Sequence, residues 1–155
     1  MPNAGRGLTP QQIDEFLATP IIARLATVKP DGAPHVTPVW QHWDGEAMWI
    51  VPRERSNFVQ NIRHEPRVCV SCADDGPGHR RVLVEGRAEL VEGPVPLSGR
   101  TREIADEMAR RYMGPEGPTY LGRTADRPRY LVKVTPARMS SWQGGEWHPR
   151  YTGGQ

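Results

Sequence analysis

The chain has 155 residues, a formal net charge of +2, and 16 glycines and 16 prolines. That length predicts one domain with a real core, and the near-neutral charge leaves no electrostatic footprint for nucleic acid as a partner. No charged-then-apolar leader opens the sequence and no apolar run nears the ~20 residues that span a bilayer, so a soluble, cytoplasmic protein with no membrane partner is the expectation.

In chain order, "LTPQQIDEFLATP" predicts a helix with Thr9 as N-cap, Pro10 at the first helical position and Gln12 completing a capping box. "IIARLATV" is a first strand, "KPDGAP" a turn with Asp31-Gly32 at its tip, and "HVTPVWQHW" a second strand. A second Asp-Gly turn at 44–45 leads to "EAMWIVP", so three strands and two short turns predict an antiparallel meander. "SNFVQNIRHEP" reads as a two-turn helix capped by Ser56 and stopped before Pro66, and "RVCVSCA" as the fourth strand. "DDGPGHR" is a Gly-rich loop without the phosphate-binding P-loop pattern. "RVLVEGRAELV" is a long fifth strand with a bulge expected at Gly86. Leu97, Ile104, Met108 and Tyr112 fall near helical spacing, so "LSGRTREIADEMARRY" is an amphipathic helix. "GPEGPTYLGRTADRP" is read as loop, and "RYLVKVTP" and "ARMSSW" as two closing strands. Residues 1–8 and 143–155 are expected to be flexible ends around a domain spanning 9–142. Strands joined by short turns, few helices and no G-x-G-x-x-G predict a mainly β fold with peripheral helices, an antiparallel barrel and not a doubly wound sheet.

The chemistry-bearing residues are sparse. Cys69 and Cys72 form a C-x-x-C, but within a strand, where residues three apart face opposite ways; buried structural thiols are expected over a redox or zinc role. His35 and His42 have no third ligand at metal spacing, so no metal site is expected. No nucleophile or acid/base pair stands out, and the catalytic residues are unassigned. The basic residues are 18 Arg and 2 Lys, a bias that fits either a GC-rich genome or fixed, forked anion sites. Arg53 and Arg55 stand between a strand end and the Ser56 cap. Either they are solvated, pairing with Glu54 or Glu65, or they join the helix N-terminus in holding a phosphate or carboxylate. Pro38 removes a ladder donor from the second strand, so Thr37, Val39 and Trp40 either expose backbone and an aromatic wall to a flat ligand or simply pack.

Taken together, "LATV…DG.PHV.PVW", the basic cluster with "NIR..PRV", and "VEGRAE" resemble the pyridoxamine 5'-phosphate oxidase-like split-barrel family, over roughly residues 9 to 142. The branch it resembles most binds flavin-type cofactors, including the deazaflavin F420. The resemblance implies a split antiparallel β-barrel, a homodimer with cofactors at its interface, and a small-molecule substrate. It implies an F420H2-dependent reductase that passes hydride to an unsaturated or quinone-like compound. An FMN-binding oxidoreductase and a non-catalytic carrier are the alternatives. By matching position, it implies that Arg53, Arg55 and Ser56 hold the cofactor phosphate, that Asn61 is a site residue, and that Thr37, Pro38, Val39 and Trp40 lie along the ring system. One position departs: Phe58 stands where many members carry a basic residue. A polyglutamate tail on F420 would need a basic channel, for which Arg63, Arg80 and Arg81 are candidates.

Overall fold

The computed structural model describes residues 7–144. Helix α1 (Pro10–Leu17) starts at the capping box: the Gln12 N–H donates to the Thr9 hydroxyl at 3.2 Å and the Thr9 N–H to the Gln12 side chain at 2.9 Å. Phe16 and Leu17 are its buried face. The ordered chain begins earlier than the sequence suggests. Leu8, assigned to the flexible end, is buried, and its N–H donates to Ser141 Oγ at 2.8 Å. The expected flexibility of residues 1–6 and 145–155 lies outside the described residues.

The strands are β1 (Ala23–Val28), β2 (Pro34–Val39), β3 (His42–Trp43), β4 (Met48–Ile50), β5 (Arg67–Ala73), β6 (Arg81–Val95) and β7 (Arg129–Trp142). Helix α2 (Asn57–His64) lies between β4 and β5; α3 (Gly99–Met113) and α4 (Gly117–Gly122) lie between β6 and β7. The strands form one sheet in the order β2-β1-β5-β6-β7-β4-β3, every pair antiparallel. The two edge strands are consecutive in the chain, so the link Trp40–Gln41 closes the sheet covalently. This is the split barrel.

The meander is therefore real but bent. The segment read as one second strand pairs with β1 through its first half and with β4 through its second. The break is set by Gln41, whose side chain is fully buried and donates from Nε2 to the Leu17 carbonyl at 2.7 Å. Both turns use the glycine predicted for them, Gly32 at φ 87 and Gly45 at φ 95. The third strand is shorter than expected, Met48–Ile50.

Inward-facing residues of the long strands, among them Leu25, Val70, Val84, Val132 and Val134, meet Phe16 and Leu17 of α1 and Val59 and Ile62 of α2 in one core. Each large side chain so buried contributes about 1.5–3 kcal/mol. The two closing strands are in fact one. Thr135 and Pro136 pair with Arg87 and Gly86, and the register shifts between Glu85 and Gly86, at the predicted bulge. A Cβ on Gly86 would lie 2.2 Å from the Thr135 carbonyl oxygen, so only glycine lets β7 pass without a break.

Residues 117–122, read as loop, form α4. Gly117 sits so close to α3 that a Cβ there would lie 2.0 Å from the Ala109 carbonyl oxygen. Tertiary packing on α3 thus selects a helix in a Gly- and Pro-rich stretch that propensity alone disfavours. Helix α3 packs on the outside of the barrel, where Ile104 meets a second small cluster of Ala47, Trp49 and Leu131. Thr101 Oγ1 donates to Glu92 at 2.6 Å near its start, and Arg111 donates to the carbonyls of Leu17 and Gln41 near its end.

Candidate functional site

Where the barrel wall meets these helices, a cavity of about 300 Å³ opens. The strand end Thr37–Trp40 forms one wall, Ile50–Pro52 and the first turn of α2 a second, and α3 and α4 the cover. Most lining residues are apolar by type, among them Pro38, Val39, Trp40, Val51, Phe58, Met108 and Leu121, but polar atoms contribute almost as much of the exposed lining as apolar ones. The lining residues with polar side chains are Thr37, Ser56 and Arg129, with the indole N–H of Trp40. β2 ends the sheet order, so backbone groups on its free edge have no strand partner.

The wall is held rigidly. Trp40 stacks on Tyr112 of α3 with ring centroids 5.1 Å apart and 2° between planes. The Tyr112 hydroxyl accepts from the Gln41 N–H at 3.2 Å and donates to the Ile21 carbonyl at 2.6 Å. Burial, tempered by the Gln41 backbone bond and the charge of Arg111, raises the Tyr112 pKa above its ordinary value. The phenol therefore stays protonated.

Of the residues the sequence singled out, Thr37, Pro38, Val39, Trp40 and Ser56 line this one cavity. Ser56 occupies the N-cap position of α2, but its hydroxyl makes no capping bond. Arg53 and Arg55 do not line it. Both are exposed, on the segment between the lining residues Pro52 and Ser56. Arg53 pairs in antiparallel register with Arg129. Asn61 is buried behind the wall, donating from Nδ2 to Thr27 Oγ1 at 3.0 Å. It ties α2 to β1. Phe58, at the position of departure, is 5% exposed and packs both in the core and on the cavity.

Arg63, Arg80 and Arg81 are elsewhere. Arg63 donates to the Tyr130 hydroxyl at 2.8 Å, Arg80 to Asp74 at 3.0 Å, and Arg81 to the His79 carbonyl at 3.2 Å. Tyr120 and Tyr130, two conceivable proton donors, do not line the cavity either.

Sequence reasoning missed Arg129. It is 4% exposed and lines the cavity. Its Nη1 donates to the carbonyls of Thr124 at 2.7 Å and Arg127 at 3.1 Å, and its Nη2 to Thr124 Oγ1 at 2.7 Å. Burial first, then the charges of Arg53, Arg127 and Arg102, lower its pKa, with Asp126 acting the other way. An arginine stays protonated regardless, so the shift marks a cation in an unfavourable place. Nothing in "DRPRYLVKV" distinguishes this arginine from its solvated neighbours; only the fold buries it.

The family model for pyridoxamine 5'-phosphate oxidase matches residues 9–143, which is most of the chain. The chain belongs to that family. Among solved structures similar to this oxidase-family chain is a conserved hypothetical protein from Mycobacterium tuberculosis, at 27% identity and a TM-score of 0.75, covering 92% of this chain and 89% of that one. A second is an F420 reductase at 30% identity and a TM-score of 0.62, covering 82% of this chain and 94% of that one. A third, the heme storage protein HutZ from Vibrio cholerae, is 21% identical with a TM-score of 0.66, covering 92% and 100% of the respective chains, and shares the fold. No curated protein matches by sequence.

The lining residues are compatible with a flavin-type group: apolar and aromatic side chains for a ring system and one arginine for an anion. Among the described residues that line it, Arg129 is the sole ionisable side chain. No pair of titratable groups stands there to carry acid/base chemistry. No helix among the described residues is long and apolar enough to cross a membrane.

Proposed function

We propose that this member of the family is an F420H2-dependent reductase acting on a small unsaturated or quinone-like substrate. The observation that carries the reading is the lining itself: apolar plates, two hydroxyls and one arginine bind and orient a ligand but have no chemistry of their own. A cofactor must supply it. The likeness to an F420 reductase at 30% identity favours the deazaflavin.

When bound, such a cofactor supplies hydride transfer. The protein's part is positional. Val39 and Trp40 would face the ring system, with Trp40 fixed by Tyr112; Met108 and Leu121 of the covering helices would keep water from it. Ser56 and Arg129 would meet the anionic end, with the exposed Arg53 and Arg55 further out.

FMN is the second candidate, and one observation favours it. Arg63, Arg80 and Arg81 lead no basic channel away from the cavity for a polyglutamate tail, because each is engaged elsewhere. A homodimer belongs to the same proposal. The outward face of β1, β2 and β5 pairs Ala26 with Val36 and Cys69, and Val28 with Pro34, and Val36 is 62% exposed. An apolar patch of this kind supports association.

The test is the absorbance of the protein purified from a host that makes both cofactors. A single deazaflavin band is expected, a two-band flavin spectrum would replace F420 by FMN, and a colourless protein that takes up neither would sink the reading. Oxidation of the reduced cofactor across a panel of acceptors then separates an enzyme from a carrier.

A further inference from the structure

The guanidinium of Arg129 has five N–H donors. Protein groups take three of them, all on Nη1 and one side of Nη2. The Nε–H and one Nη2–H remain, and Nε and Nη2 share the edge of the planar group that can grip an oxyanion with two parallel bonds. The Nε is not sealed in: it makes no hydrogen bond and is not among the buried, partnerless side-chain atoms of the described residues, which are His35 Nδ1, Gln41 Oε1 and Arg111 Nε. No ion pair among the described residues involves Arg129. Asp126 acts on it only at a distance, so no carboxylate contacts this buried cation, a costly arrangement that a ligand anion would relieve.

Three features add to it. Arg53 stands opposite in register and brings a second positive charge near. The Ser56 hydroxyl, free of its capping bond, lines the same cavity. Phe58, buried, lines the same cavity and brings no charge to it, which leaves Arg129 as the sole ionisable side chain among the described lining residues. We infer that Arg129 is the inner anion receptor of the cavity, its free Nε–Nη2 edge taking a phosphate group of the bound ligand while Thr124 and Arg127 hold the guanidinium in place. The closeness of Gly93, where a Cβ would meet the Arg129 carbonyl oxygen at 2.3 Å, fixes the backbone from which the side chain extends. The plainer role for Arg129, tying down the turn after α4, uses only the three donors already engaged.

The inference rests on reading the cavity as a cofactor site, and its test separates the two. FMN and riboflavin differ only by the phosphate, so their affinities are compared in the wild type and in Arg129→Lys and Arg129→Gln, with circular dichroism as the check on folding. The wild type should prefer FMN by about ten- to a hundredfold. The folded variants should keep their riboflavin affinity and lose most of that preference. A purely structural arginine predicts an unchanged preference in folded variants, and that result overturns the assignment. If neither flavin binds, or if both variants fail to fold, the wild type still decides. Pyrophosphate titrated at millimolar concentration should shift the ¹⁵N–¹H resonance of the Arg129 Nε. A resonance that does not move rules the receptor out.

Discussion

The indole of Trp40 lies parallel to the ring of Tyr112, 5.1 Å away centroid to centroid. Trp40 lines the cavity and Tyr112 belongs to α3, so the helix that covers the site also braces its wall. The same tyrosine bridges the Gln41 N–H and the Ile21 carbonyl at the bend where the barrel closes. Tyr112→Phe keeps the stacked ring but strands both backbone groups. It should lower stability by about 1–3 kcal/mol with little effect on ligand affinity. Tyr112→Ala also frees Trp40 and should weaken binding of a planar ligand several-fold. Urea denaturation and ligand titration together check this; equal affinities in the two variants would mean that Trp40 needs no brace.

Asn61 should matter for stability and not for ligand contact. Its bond to Thr27 is buried on both sides. Asn61→Ala leaves the Thr27 hydroxyl without its donor and should cost about 1–3 kcal/mol. Affinity per folded molecule should stay within a few fold. A large affinity loss at wild-type stability would restore Asn61 to the site.

The thiols should be dispensable for binding. Cys72 is fully buried, and burial pushes its pKa up to about 12, with Arg24 pulling weakly the other way; burial and then Glu85 raise Cys69. Neither is a ready nucleophile. The folded state thus holds the Cys72 proton more tightly than the unfolded chain does. That contribution to stability is complete below the ordinary thiol value of 9.0 and is lost as pH rises towards about 12. Cys72→Ala should flatten this alkaline decline while costing on the order of 1 kcal/mol at neutral pH through lost core volume. Denaturation midpoints from pH 8 to 11 read both effects.

Arg53 and Arg55 are exposed, so their pull on an anion is screened. Each alanine variant should weaken cofactor binding a few fold, Arg53 more than Arg55 because it stands opposite Arg129. Added salt should weaken the wild type more than the double variant. Identical salt dependence in the two would make both arginines bystanders.

A dimer should persist at micromolar concentration. Val36→Glu places a charge on the outward apolar face next to Ala26 and should split it without unfolding the barrel. Light scattering that finds a monomer in the wild type would dispose of the dimer outright.

Much of this molecule is legible in the chain. The capping box at Thr9 and Gln12, both Asp-Gly turns, the limits of β5 and the bulge at Gly86 follow from local chemistry: a side chain that reaches the N–H three residues on, a φ only glycine adopts easily, an alternation that buries one face. The wall Thr37–Trp40 could be marked because Pro38 donates no ladder bond and so suits an edge strand, where it pairs with Arg24. What local pattern could not decide is which groups meet across the fold. The second strand bends because Gln41 finds the Leu17 carbonyl, 24 positions away. Residues 117–122 become helical because Gly117 fits against Ala109. Arg129 looks like any other arginine in sequence; it becomes a buried cation at a cavity wall only because β7 starts beneath the α4 turn and opposite Arg53. Burial and charge environment are properties of the assembled chain, set by partners dozens of residues apart, and it is those properties that separate a binding arginine from a solvated one.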